Sequence, residues 1–288
     1  HPGRSVDIAF KRNYKILEAP ISQIAVSAKQ TKTHHSKMIS ACLLSFRRPH
    51  NMQAIVDSIH RHDFIDEILV WNNNPGIQLQ LEGHKVRVIN SVENMLCYGR
   101  FLCAGEAKNE LIYVQDDDTI VKNIPALRKD FLNNESMITH GLYNQHYKLR
   151  ERYHHFYGQV ALLGWGAIFK KSWLRVLDDF LKENKNDYLF KREADQIFTL
   201  LQGARHKAIK ASLTLLRDHS TDGIALYREP EHYLHKALAV RKGIGFQSRE
   251  KRFNSASNLE CGNHLQRLRA LPYGSCGVGD VQLSLIHI

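Results

Sequence analysis

The run Glu110 to Thr119, ELIYVQDDDT, constrains the fold more than any other stretch of the chain. Leu111, Ile112, Tyr113 and Val114 make a continuous β-branched and aromatic run bounded by polar residues, a composition that suits a strand covered on both faces. Such a strand belongs inside an open α/β sheet. Asp116, Asp117 and Asp118 then stand at its carboxyl end, where sheets of this kind bind their ligands. Three adjacent carboxylates repel one another, and a hard divalent cation such as Mg²⁺ or Mn²⁺ offsets that repulsion while bridging to substrate phosphates. A solvated acidic turn or a helix N-cap uses aspartates just as readily, and the triplet alone leaves both readings open.

The surrounding pattern agrees with an α/β sheet. Met38 to Ser45 reads as a buried strand, followed by Pro49 at a first helical turn and by Met52, Ile55, Val56 and Ile59 at helical spacing. Ile65 to Trp71 is a second strand that runs into the turn signal Asn72-Asn73-Asn74-Pro75-Gly76, and Lys85 to Ile89 is a third. A helical stretch from Met95 to Lys108 leads into the aspartate strand, and Ile124, Leu127, Phe131 and Leu132 mark another helix. Gln159 to Phe169 reads as a glycine-containing strand. Helices follow over Lys171 to Asn184 and Glu193 to Gln202, and Ala208 to Leu216 closes the pattern as a strand. Alternation of this kind predicts a mainly parallel sheet with helices on both faces.

The domain is expected over residues 37–245, between a basic arm or linker at 1–36 and a C-terminal extension at 246–288 whose last stretch, Gln282 to Ile288, is assigned no function. At 288 residues and 43% hydrophobic content the chain can bury a substantial core. The net charge of +11 raises a nucleic-acid hypothesis, but residues 1–35 alone carry six Lys/Arg against two Asp/Glu. What is left is mildly basic and holds the acidic triplet, which suits a small phosphate-bearing substrate better than a duplex.

No apolar run is long enough to span a bilayer, and no signal-peptide pattern opens the chain. The five cysteines, Cys42, Cys97, Cys103, Cys261 and Cys276, show neither a CxxC pair nor metal-ligand spacing. They favour a reducing compartment, so a cytoplasmic location is expected, with the secretory lumen the alternative if an anchor precedes His1.

Taken together, VWNN (Val70 to Asn73), Asn94 with Arg100, YVQDDDTIV (Tyr113 to Val121), LLGWGAIF (Leu162 to Phe169) and READQIF (Arg192 to Phe198) resemble the exostosin-type glycosyltransferases, family 64, in order and spacing as well as residue type. The likeness spans roughly residues 37–240. It implies a GT-A fold and a metal-dependent transfer of an N-acetylhexosamine from a UDP-sugar, with retention of anomeric configuration, to a hydroxyl acceptor.

By that resemblance Arg47, Asn72 and Asn73 line the uridine and ribose site, and Asn94 and Arg100 hold the nucleotide sugar. Asp116 and Asp117 contact ribose or sugar hydroxyls, Asp118 is the DXD-type ligand of Mn²⁺ (or Mg²⁺), and Asp195 is the acidic catalytic position. Arg228 meets the diphosphate. As plain chemistry Asp195 also reads as a first-turn helix carboxylate, and His219 as a surface histidine rather than a further metal ligand.

The family's usual acceptor is not carried over, because Tyr143 to Tyr157, rich in Tyr, His, Arg and Lys, has no family counterpart. Two other classes stay open: a different metal-dependent phosphate-handling enzyme, such as a nucleotidyltransferase, and a non-catalytic nucleic-acid-binding module.

Overall fold

The computed structural model describes residues 38–143, 147, 160–184, 187–203, 205–222, 229 and 231–254. The basic arm, Arg228, most of the segment from Tyr143 to Tyr157 and everything after Asn254 lie outside the described residues.

Seven strands form one sheet in the order β3-β2-β1-β4-β7-β6-β8. They are β1 (Ile39–Ser45), β2 (Ile65–Asn72), β3 (Val86–Asn90), β4 (Leu111–Gln115), β6 (Ile138–Leu142), β7 (Ala167–Lys170) and β8 (His206–Lys210). Only β7 runs against the rest, pairing antiparallel with β4 and β6, so the sheet is mostly parallel as the sequence leads one to expect. The short strands β5 (Thr119–Val121) and β9 (Leu213–Leu215) pair with each other in a small second sheet.

The alternation of side chains along β4 shows why the apolar run is unbroken. Leu111 and Tyr113 enter a core shared with α1 (Met52–His60) and α3 (Ile124–Asn133), whose contributions include Ile55, Ile59, Leu127 and Phe131. Ile112 and Val114 enter a second core on the opposite face, with α2 (Gly99–Gly105), α4 (Arg175–Asn184), α5 (Tyr188–Arg192), α6 (Ala194–Leu201) and α7 (His232–Asn254). Within it Phe198 meets Phe101 and Phe169 at ring-centroid distances of 4.8 and 5.1 Å. Each such fully buried side chain stabilises the fold by roughly 1.5–3 kcal/mol.

Three expected elements come out differently. Of the strand expected over Gln159 to Phe169, the described residues 160–169 are a strand only from Ala167, because Gly166 sits at φ +88°, a conformation that ends extended backbone. The single helix expected over Met95 to Lys108 breaks into a 3₁₀ turn (Leu96–Tyr98) and α2, with Leu96 in the left-handed region at φ 52°. Ala208 to Leu216 divides between two sheets. Ala211 N–H bonds the Leu142 carbonyl of the large sheet, while the Ser212 carbonyl accepts from Lys122 beside β5.

Helix α7 continues to Asn254, past the domain end expected at 245. Among the described residues, no helix is long and apolar enough to cross a membrane.

Candidate functional site

Register places the carboxyl ends of three neighbouring strands together: Ser45 lies opposite Asn72, and Leu43 opposite Gln115. The chain leaving each of these ends supplies the candidate site.

The aspartate triplet is a tightly held turn between β4 and β5. Tyr113 Oη donates to Gln115 Oε1 at 2.6 Å, and Gln115 Nε2 reaches across the turn to the Thr119 carbonyl at 2.9 Å. Asp116 N–H donates to the Gly164 carbonyl, Asn51 Nδ2 to the Asp117 carbonyl, and Leu216 N–H to the Asp118 carbonyl. With its backbone fixed from three sides, the turn aims its three side chains differently.

Asp117 points inward. Its Oδ2 accepts from Phe46 N–H at 2.9 Å and its Oδ1 from Arg48 Nη1 at 2.5 Å. Both oxygens are therefore engaged within the protein, and a sugar hydroxyl would compete with Phe46 and Arg48 for them. Burial raises the Asp117 carboxyl above the ordinary range even against the pull of Arg48. Arg48 also donates through Nε to the Asp218 carbonyl at 2.8 Å. This buried arginine holds the turn, while its neighbour Arg47 is the one that the resemblance assigns to the uridine and ribose site. Arg47 is exposed, with its guanidinium 5.1 Å from the Phe46 ring. Nothing in the sequence distinguishes the two adjacent arginines.

Asp118 is the member that fits a metal. Its side chain is only 14% exposed, Oδ1 is buried without a hydrogen-bond partner, and Arg48 Nη1 stands 3.6 Å from Oδ2. Burial, and next the charge of Asp116, push its carboxyl up to about 7. A bound cation would reverse both effects. Among the described residues, no group of three or more His, Cys, Asp or Glu can hold a metal by itself.

Asp116 Oδ1 accepts from Arg100 Nη2 at 2.6 Å. Arg100 is 2% exposed, and its Nη1 lies 3.1 Å from Asp195 Oδ2, an ion-pair distance without hydrogen-bond geometry. The arginine thus links two carboxylates while Nη1 and Nε keep unused donors. Asp195, in the first turn of α6, retains 20% side-chain exposure. Burial pushes its carboxyl up to about 6, opposed by Arg100 and reinforced by Asp116. Next to this trio Cys97 is raised by burial and then by Asp195, which keeps its thiol protonated.

The asparagines shape the neighbouring loops. Asn73 Oδ1 accepts from Trp71 Nε1 and Met95 N–H, and its Nδ2 donates to the Leu96 carbonyl. Asn94 Oδ1 accepts from Leu96 N–H at 2.9 Å. Together they hold Leu96 left-handed, which turns the chain into α2 and delivers Arg100. Asn72 Nδ2 donates to the carbonyls of Asn74 and Ile77 and to Asn90 Oδ1, fixing the loop after β2.

A side chain at Gly164 would place Cβ 2.1 Å from Asp116 Oδ2, so only glycine lets the Leu162–Phe169 segment pass against the aspartate.

Sequence reasoning missed a second ionic cluster behind Asp195. Buried Arg192 pairs with Glu193 and with Glu229, the latter at 2.5 Å. Glu193 also accepts from Gln196 and faces Lys236 at 3.8 Å. Arg192 and Glu193 are adjacent, and Glu229 lies 37 residues from Arg192, so nothing in the linear order joins these charges into one cluster.

The carbonyls of Asp218 and His219 face Arg48, and burial lowers the His219 imidazole. A cavity of about 220 Å³ lined by Glu135, Ser136, Trp173, Gln202 and Arg205 lies at the opposite edge of the sheet and contains none of the residues above.

No protein-family model and no curated protein matches the chain, so the exostosin-type resemblance rests on the motifs alone. Among the solved structures similar to it are two of one protein. S. aureus TarS is 12% identical, with a TM-score of 0.40, over 60% of this chain and 35% of that one. S. aureus TarS 1-349 in complex with UDP is 14% identical, with a TM-score of 0.40, over 60% of this chain and 58% of that one. The chain therefore spans about one third to three fifths of the length of these structures.

Proposed function

We propose that this chain is a metal-dependent glycosyltransferase on a GT-A-like sheet, moving a sugar, an N-acetylhexosamine, from a UDP-sugar to a hydroxyl of a glycan or other acceptor with retention. The observation that carries the reading is Asp118, a buried carboxylate with one oxygen unpartnered, beside an Asp116–Arg100–Asp195 arrangement that opens on the carboxyl edge of a mostly parallel sheet. The motif resemblance independently assigns these residues to one donor site.

Asp118 would hold Mn²⁺ or Mg²⁺, and the bound ion would neutralise charge on the diphosphate leaving group. The protein's own groups do the rest. Arg100 fixes the orientation of Asp116 and Asp195. With a carboxyl near 6, Asp195 is mostly ionised at neutral pH. It can stabilise positive charge developing at the anomeric carbon or take the acceptor hydroxyl's proton. Arg48 and Asp117 keep the turn in place. Arg228 is assigned to the diphosphate by resemblance only.

A thermal-shift panel of nucleotide sugars and nucleoside triphosphates, each with Mn²⁺ and with chelator, tests the reading, because a ligand of the native state raises its melting temperature by mass action. UDP-sugars should shift the protein in Mn²⁺ and lose most of the effect in chelator. A response confined to nucleoside triphosphates would transfer the site to nucleotidyl transfer.

A further inference from the structure

At the amino edge of the sheet, remote from the aspartates, two imidazoles meet. His60 is the last residue of α1, and His84 closes the loop that leads into β3. His60 Nε2 lies 3.2 Å from His84 Nδ1, with the rings near perpendicular at 88°. We propose that His60 and His84 form a surface chelate for a divalent transition metal of the imidazole-preferring class, such as Zn²⁺ or Co²⁺, that staples α1 to the β2–β3 loop.

Four features support the chelate. Two Zn–N bonds of about 2.0–2.1 Å at a tetrahedral angle separate their nitrogens by roughly 3.3 Å, so both rings already stand at ligand spacing. The pair is also preassembled. Gln53, on the same face of α1, clamps the backbone of Glu82 from both sides: Glu82 N–H donates to Gln53 Oε1 at 3.0 Å, and Gln53 Nε2 donates to the Glu82 carbonyl at 3.3 Å. Gly83 then takes φ +136°, where an added Cβ would strike Val86 Cγ2 at 2.7 Å, and this turn delivers His84 to His60.

The electrostatics favour a cation as well. His60 ends a helix, where the macrodipole is negative, while the nearby charges of Asp57 and Glu82 are matched by Arg61 and Lys85. Finally, the site is open: His84 is exposed and His60 partly so, leaving the remaining coordination positions to water. For both facing nitrogens to bind the ion, each ring carries its proton on the outer nitrogen.

The full chain, stripped with chelator, is titrated calorimetrically with Zn²⁺ and separately with Mn²⁺. Wild type should bind one equivalent of Zn²⁺ more than His84→Ala and than His60→Gln. In Zn²⁺ wild type should also gain about 2–6 °C in Tm over either variant. Mn²⁺, an oxygen-preferring ion, should not distinguish the three proteins. UDP binding should be the same in all three, so loss of the Zn²⁺ site cannot be confused with damage at the aspartates. Equal Zn²⁺ stoichiometry in wild type and both variants would reduce the contact to a hydrogen bond between neutral histidines and overturn the proposal.

Discussion

Arg47 and Arg48 are neighbours in the chain and opposites in the fold. Arg48 Nη1 and Asp117 face each other with side-chain exposures of 8% and 6%, so removing the guanidinium strands a buried carboxylate. Arg48→Ala should destabilise the protein by about 3–5 kcal/mol in denaturant unfolding. Arg47→Ala should stay within about 0.5 kcal/mol of wild type.

Asp195 is predicted to act through its charge rather than its bulk. Asp195→Asn should fold and bind UDP normally but lose transfer by about 10²–10⁴-fold. In the wild type, kcat should fall as pH drops through about 6, because protonation removes the carboxylate. Near-normal turnover by the variant would place Asp195 among ordinary helix-start carboxylates. These assignments were legible only as residue types: Asp118 and Asp195 stood out in the sequence, whereas choosing between two adjacent arginines required the turn that buries one of them.

Among the elements, the apolar strands and amphipathic helices could be read directly, because burial on one or both faces leaves a period in the sequence. The missed strands lacked that period. In β6, ITHGL, the polar Thr139 and His140 are fully buried, and β5 is only three residues long. Of the strand expected over Gln159 to Phe169, only the end from Ala167 forms one among the described residues, because apolar composition looks the same in a strand and in a packed loop. The glycines decide between them, and Gly164→Ala should displace Asp116 and weaken Mn²⁺-supported UDP binding about tenfold with little change in unfolding midpoint.

His140 ties β6 to that loop: its Nδ1 accepts from Leu162 N–H, and its Nε2 lies 3.0 Å from His206 Nδ1. Burial, and then the neighbouring His206, lower it to about 3 from the ordinary 6.5. The unfolded chain therefore binds a proton below 6.5 that the folded one refuses until about 3. The resulting stability is complete above 6.5 and is lost as pH falls towards 3. Asp118 and Asp195, with raised values, work in the opposite direction, so only a difference isolates the histidine. Stability of wild type relative to His140→Gln should decline between pH 6.5 and 4 by a few kcal/mol. A pH-independent difference would show that His140 does not stay neutral in the fold.

For the molecule as a whole, the sheet's direction and layering followed from the order of elements, and the carboxyl-edge position of the aspartates followed from the sheet. The central claim is that Asp118 and a nucleotide diphosphate share one metal ion. Calorimetric titration of UDP into wild type and Asp118→Asn, each with Mn²⁺ and with chelator, tests it most directly. Wild type should bind UDP at least about tenfold more tightly with Mn²⁺ than with chelator. Asp118→Asn, folded as wild type because the turn is held through its backbone and Asp117, should show no such dependence. Wild-type affinity for UDP that is indifferent to metal, or an Asp118→Asn variant that keeps the full Mn²⁺ effect, would contradict the account.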